Sequence, residues 1–258
     1  LMFNWRNHTM KINSVFSKAL LFAGTMFFTL GFQSCLDDDD NNYSLRYPNA
    51  LVTVKSDADG SLFLQLDDKT TLLPTNVKKS PFGDKEVRAL VNYDEVDESS
   101  GDYSKAIHIN WIDSILTKPI APDLGEENDK IYGTDPVEII NDWVTIAEDG
   151  YLTLRFRTVW GGRNKHFVNL LLGQNPENPY EVEFRHNAYE DTYGTTEDRL
   201  VAFKLDGLPD TEGKTVKLKL KWKSFSGEKS TEFDYCTNKS LAPASSAITA
   251  VRSKQDLR

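Results

Sequence analysis

Glu148-Asp149-Gly150-Tyr151-Leu152-Thr153-Leu154-Arg155-Phe156-Arg157 is the stretch on which the fold class turns. Successive side chains of an extended strand point to opposite faces. Leu152, Leu154 and Phe156 therefore share one face, and Thr153, Arg155 and Arg157 share the other. The repeat is two residues, not the 3.6 of a helix. The Asp149-Gly150 pair tolerates the positive φ angles of a tight hairpin turn, so this run should fold back on residues 143–146.

Toward the C-terminus the same texture continues at 167–172, 181–185, 200–205, 215–224 and 231–235. Turn-forming residues separate these runs at 175–179, 207–209 and 226–228, and the spacing predicts a β-sandwich over 135–238. The stretch 239–258 is polar and small and is expected to be disordered. Toward the N-terminus, Asp135-Pro136 reads as an N-cap followed by proline at the first helical position. A short helix should follow and end near Asn141. Residues 116–134 carry Pro119, Pro122, Gly125 and Gly133 with few apolar anchors, and read as a linker. Ahead of it, strand signals at 50–55, 62–66, 71–73, 86–93 and 106–114 are joined by hairpin-type turns, which predicts a small barrel over 47–115. The expected fold class is all-β, a barrel and then a sandwich with one short helix between them.

The first 34 residues read differently. Residues 1–9 look like an upstream extension, with the start at Met10. Lys11 and Lys18 then precede an apolar run over 19–32. A membrane span needs about 20 apolar residues; this shorter run fits the core of a signal peptide. Cys35 directly after Ser34 resembles a lipobox, so cleavage before Cys35 and lipid attachment there are expected. Phe32 and Gln33 depart from the usual residues of that motif, and the alternative is an unlipidated secreted protein. Asp37, Asp38, Asp39 and Asp40 repel one another and stay solvated, which makes 35–46 an acidic tether. That cluster also resembles the surface-export signal of some Gram-negative lipoproteins, which implies the outer face of the outer membrane. The alternative is a plain spacer facing the periplasm.

Removing residues 1–34 takes away Arg6, Lys11 and Lys18, leaving 27 basic and 39 acidic residues and a formal charge of −12. Such a surface repels phosphate backbones, so nucleic acid is not an expected partner. With Cys35 acylated, Cys236 has no partner for an intramolecular disulfide and is expected to be buried and inert.

Three segments resemble the NigD-like lipoproteins: Asp135-Pro136-Val137-Glu138-Ile139-Ile140-Asn141-Asp142-Trp143-Val144, the hairpin strand Glu148–Arg157 quoted above, and Asn178-Pro179-Tyr180-Glu181-Val182-Glu183-Phe184-Arg185-His186-Asn187. The resemblance implies that the N-terminal barrel is OB-like and that the C-terminal part is a β-sandwich. The family takes its name from a bacteriocin gene cluster. It implies no catalytic activity and transfers no active-site residues.

Catalytic signals are weak. The carboxylate pairs Asp67-Asp68, Asp94-Glu95, Asp97-Glu98 and Glu126-Glu127 lie in polar loops. Glycosidase chemistry needs two carboxyls converging across a cleft, one of them with a raised pKa. His108, His166 and His186 have no metal-ligand spacing, and no metal or other cofactor is expected. His108 falls in an alternating strand and is expected to be a hydrogen-bonded structural residue. Asp57-Ala58-Asp59-Gly60 echoes part of a calcium loop but lacks the remaining ligands, so it reads as a hairpin turn. Trp160-Gly161-Gly162-Arg163 is the candidate ligand loop, where Trp160 and Arg163 could stack on and hydrogen-bond a sugar or peptide. The competing reading has Trp160 capping the sandwich core and the glycines turning a hairpin. The leading expectation is a non-catalytic envelope lipoprotein, anchored to the membrane by its lipid, that binds or scaffolds a protein or oligosaccharide. The alternative is a secreted glycan-acting hydrolase using acidic loop residues.

Overall fold

The computed structural model describes residues 46–237. The expected signal peptide, Cys35, Asp37 to Asp40 and the tail from 239 lie outside the described residues.

Five strands close a barrel: β1 (Ala50–Ser56), β2 (Leu62–Gln65), β3 (Thr71–Pro74), β4 (Val87–Glu95) and β5 (Lys105–Ser114), in the order β1-β2-β3-β5-β4. β4 returns antiparallel to β1, and β3 meets β5 in parallel. Five consecutive residues of β1, Ala50 to Val54, are buried, so this strand is covered on both faces. Ala50, Val52 and Val54 point into the barrel with Leu64, Leu72, Val91 and Ile107. The alternate residue Leu51 points outward, where it packs with Leu90, Val144, Leu200 and Ala202. That outer cluster joins barrel to sandwich.

The second part comprises β6 (Leu116–Pro119), α1 (Asn128–Tyr132), β7 (Glu138–Ile140), β8 (Ile146–Glu148), β9 (Tyr151–Trp160), β10 (Phe167–Leu172), β11 (Glu181–Asn187), β12 (Thr195–Lys204), β13 (Val216–Ser224) and β14 (Gly227–Tyr235). One sheet runs β10-β11-β13-β14; the other runs β6-β12-β9-β7, with β8 also paired to β9. Leu152, Leu154 and Phe156 meet Val182, Phe184, Leu218 and Leu220 between the sheets. Each such side chain contributes roughly 1.5–3 kcal/mol on burial. Asp149 (φ 47°) and Gly150 (φ 77°) both adopt positive φ, the two-residue turn expected of an Asp-Gly hairpin.

Three local expectations need correction. The helix expected after Asp135 is instead the strand β7, antiparallel to β9 with Ile139 opposite Phe156. Asp135 caps no helix; its carboxylate accepts the Ala188 backbone N–H at 2.7 Å. Three apolar residues at 137, 139 and 140 suit a helix face or a short strand, and only the partner strand decides. The short helix lies earlier, at α1, inside the stretch expected to be a linker. That stretch is structured from its first residue: β6 runs parallel to β12, Val201 beside Leu116, and Tyr132 is buried with its hydroxyl donating to the Pro122 carbonyl. The strand that β6 pairs with, β12, is remote in sequence, so local composition does not reveal it. Finally, Trp143 lies in a turn, and β8 begins only at Ile146.

Candidate functional site

The junction between barrel and sandwich is built on the hairpin β8–β9. Arg88 of β4 is fully buried and donates to Glu148 Oε1 (2.5 Å), Thr53 Oγ1 (3.1 Å) and Thr153 Oγ1 (3.3 Å). Burial pushes the Glu148 carboxyl upward, and the Arg88 guanidinium pulls against it. Lys55 Nζ meets the Asp149 carboxylate at 2.9 Å, and Asp68 accepts the Asp149 backbone N–H at 3.0 Å. The Tyr151 hydroxyl donates to Glu86; burial first and that carboxylate second raise the phenol far above its usual range. Apart from the Arg88–Thr53 bond, which joins two barrel strands, each of these links carries one partner from the barrel and one from the hairpin.

Beside this junction opens a cleft of about 1580 Å³. Its barrel wall uses the β1–β2 turn (Asp57, Ala58), β2 (Phe63, Gln65), β3 (Thr71) and the β4–β5 loop (Asp102, Tyr103). Strands 2 and 3 with these two loops form the face by which OB folds bind oligonucleotides and oligosaccharides. The sandwich wall brings Tyr151, Lys204, Asp206, Leu208 and Tyr235. Phe63 and Tyr103 pair at 5.3 Å between ring centroids. The Tyr103 hydroxyl donates to Asp57 at 3.0 Å, and burial and Asp57 together raise its pKa to about 12. The Ser61 backbone N–H holds the Asp57 carboxyl below its ordinary value. Cys236 also lines this cleft; it is half-buried, not buried, and the Thr211 hydroxyl points to its sulfur at 3.7 Å.

The loop from Trp160 to Arg163 lies elsewhere, beside the 188–194 loop. The Trp160 ring stacks on His166 with centroids 4.0 Å apart, has Arg199 at 4.8 Å, and donates from its indole N–H to the Glu197 carbonyl at 3.2 Å. Arg163 pairs with Asp191 at 3.3 Å. Asp191 has no exposed side-chain surface and accepts the backbone N–H groups of Gly161 (3.1 Å) and Arg163 (3.2 Å). A Cβ on Gly161 would lie 2.1 Å from Asp191 Oδ1, so glycine is required there by close approach. Gly162, by contrast, sits in open space at φ +76°. Trp160, Gly161 and Arg163 are thus engaged with the protein itself.

Asp191 Oδ2 also lies 3.4 Å from His166 Nε2, and His166 Nδ1 lies 2.9 Å from His186 Nε2. The two rings share one hydrogen bond, Nδ1 to Nε2, whose donor is set by their tautomers. Burial, and second the neighbouring His166, lowers the His186 pKa to about 4. Burial alone would raise the Asp191 carboxyl, but Arg163, the loop N–H groups and His166 outweigh it and hold it low.

The remaining candidates are dispersed. His108 is exposed, 3.4 Å from the Asn76 amide. Asp67 caps its own turn, accepting the N–H groups of Lys69 and Thr70 at 2.8 Å. Glu95 pairs with Lys105, and Glu127 with Lys130. Of the sequence-adjacent carboxylate pairs, Asp68 alone reaches the cleft, so none forms a converging acid–base pair there. Among the described residues no cluster of three or more His, Cys, Asp or Glu could hold a metal, and no helix is long and apolar enough to cross a membrane. Reading the sequence missed the cleft: Phe63, Tyr103, Tyr151 and Tyr235 sit far apart in the chain, each as an ordinary strand or loop aromatic.

The NigD-like N-terminal OB domain matches residues 51–115, and the NigD-like C-terminal β-sandwich domain matches 119–235. Among solved structures, a toxin-related protein from Parabacteroides distasonis is 41% identical at a TM-score of 0.61, over 72% of this chain and 92% of its own. A protein of unknown function from Bacteroides vulgatus (22% identity, TM-score 0.60, 75% and 92% covered) shares the fold. So does a NigD-like immunity protein from Bacteroides caccae (22%, 0.52, 72% and 95%). Comparison with curated proteins gives no match. With both domain models matched in order, and with a solved structure 41% identical across most of both chains, this chain belongs to the NigD-like family.

Proposed function

We propose that this is a non-catalytic, lipid-anchored cell-envelope protein that holds a protein or oligosaccharide partner in the cleft between its barrel and its sandwich. The observation that carries the reading is the cleft itself. It opens on the barrel face that OB folds use for ligands, and a second wall from the sandwich faces it. The polar links across the junction hold the two walls in register, which preorganises a site. Lipidation at Cys35 and export through Asp37, Asp38, Asp39 and Asp40 would present that cleft at the outer membrane surface; this part rests on the sequence pattern.

A photo-crosslinking residue at Lys69, on the cleft rim, should capture a partner in intact cells, whereas one at Lys130, on α1, should not. Equal capture from both positions, or none from Lys69, sinks the cleft reading. For the anchor, Cys35→Ser should abolish partition into detergent. Changing the four aspartates together to Asn should lower protease shaving of intact cells without affecting lipidation.

A further inference from the structure

We infer that the cleft takes an extended, lysine- or arginine-rich polypeptide segment. The inference rests on the cleft being the ligand site and names what fills it.

Size argues first. Pockets for small molecules run to roughly 300–1,000 Å³; this cleft, at about 1580 Å³ and open to solvent, suits a length of chain. Charge argues second. Seven carboxylates and three lysines line it. The acids come from both walls, Asp57, Asp68 and Asp102 from the barrel and Asp206 and Asp210 from the sandwich, where Lys204 lies 3.7 Å from Asp206 and offsets one of the two. A ligand lying between them meets negative potential on either side, and protein walls focus that field. Phosphate-bearing ligands are repelled. A neutral glycan could stack on the rings but has no use for an excess of acid on both sides. Aromatic chemistry argues third. The Phe63–Tyr103 pair stands on the barrel wall, with Tyr103 steadied by its hydrogen bond to Asp57, and such rings attract ammonium and guanidinium groups over their faces. The molecule already contains the contact in miniature: the Lys55 ammonium sits on the Asp149 carboxylate at 2.9 Å within this cleft.

The test is fluorescence anisotropy of a labelled decapeptide of alternating lysine and serine, added to the intact protein. Matched glutamate–serine peptide and unlabelled maltohexaose serve as comparators. The lysine peptide should bind, weaken steeply as salt rises, and ignore maltohexaose. Asp102→Asn with Asp206→Asn should weaken it roughly three- to tenfold, and Tyr103→Leu about threefold. Glu126→Gln with Glu127→Gln, outside the cleft, should leave it unchanged. Thermal melting of each variant checks folding, and Asp102→Asn or Asp206→Asn alone replaces any double variant that melts early. Binding that is insensitive to the cleft variants, or no stronger than that of the glutamate peptide, overturns the inference. So does competition by maltohexaose; in that case Lys69 crosslinking would still succeed, and the cleft reading would survive without its cationic ligand.

Discussion

Two buried polar networks hold this protein together, and they solve the same problem in opposite ways. At the barrel–sandwich junction the buried charge is a cation, Arg88, neutralised by one carboxylate and two hydroxyls from other strands. At the far tip of the sandwich it is an anion, Asp191, wrapped by backbone N–H groups of its neighbouring loop, by Arg163 and by an imidazole. The first network depends on side chains that evolution can exchange as pairs. The second depends on backbone geometry, and so on glycines and a strained loop: Tyr189 (φ 47°) and Glu190 (φ 66°) precede Asp191 in the left-handed region. The junction therefore positions a site, while the tip fixes loops.

The comparison breaks hardest at Arg88. Arg88→Met should leave Glu148 buried without its cation and lower unfolding stability by about 3–5 kcal/mol in urea titrations. Arg88→Met with Glu148→Met should recover most of that loss, because removing both charges removes the uncompensated burial. An additive double variant would show that the pair does not act as a unit.

The tip should respond to acid. His186 has a folded pKa of about 4 against an ordinary 6.5, so between these values the unfolded chain binds a proton that the folded chain refuses. Its contribution is fully present above pH 6.5 and is lost as pH falls through that window, by about 3 kcal/mol in all. His186→Phe should flatten the stability profile between pH 6.5 and 4, whatever its effect at neutral pH. An unchanged slope would place the acid sensitivity elsewhere.

Smaller effects should separate the two adjacent glycines. Gly161→Ala drives a methyl into Asp191 and the Tyr193 carbonyl and should cost about 1–3 kcal/mol. Gly162→Ala meets nothing within 4 Å and pays only for its positive φ, about 1 kcal/mol. Equal melting temperatures for the two variants would mean that the Asp191 cradle yields freely.

Much of the fold was legible because period-two patterning is a local property. Leu152, Leu154 and Phe156 face the core as their alternation requires, and Asp149-Gly150 turns as its chemistry requires. The errors fall where the deciding partner is remote. Glu138 to Ile140 form a strand because β9 is there to pair with, and Leu116 to Pro119 because β12 is. The site was less legible than the fold. Trp160 and Arg163 stood out as a Gly-rich loop with useful chemistry, yet the stacking partners of Trp160 and the carboxylate under Arg163 come from residues 166, 199 and 191.

By itself the sequence determined the all-β class, the order of barrel and sandwich, the hairpin at Asp149-Gly150 and the acidic balance of the surface. These follow from composition and from neighbours a few residues apart. Only the tertiary structure decided that β1 is buried on both faces, that Arg88 lies in the junction, and that Phe63 and Tyr103 face Tyr151 and Tyr235 across one cleft. Each of those facts depends on segments that are far apart in the chain. Their meeting is set by burial of both sheets and of the outer barrel face at once, which no single window of residues encodes.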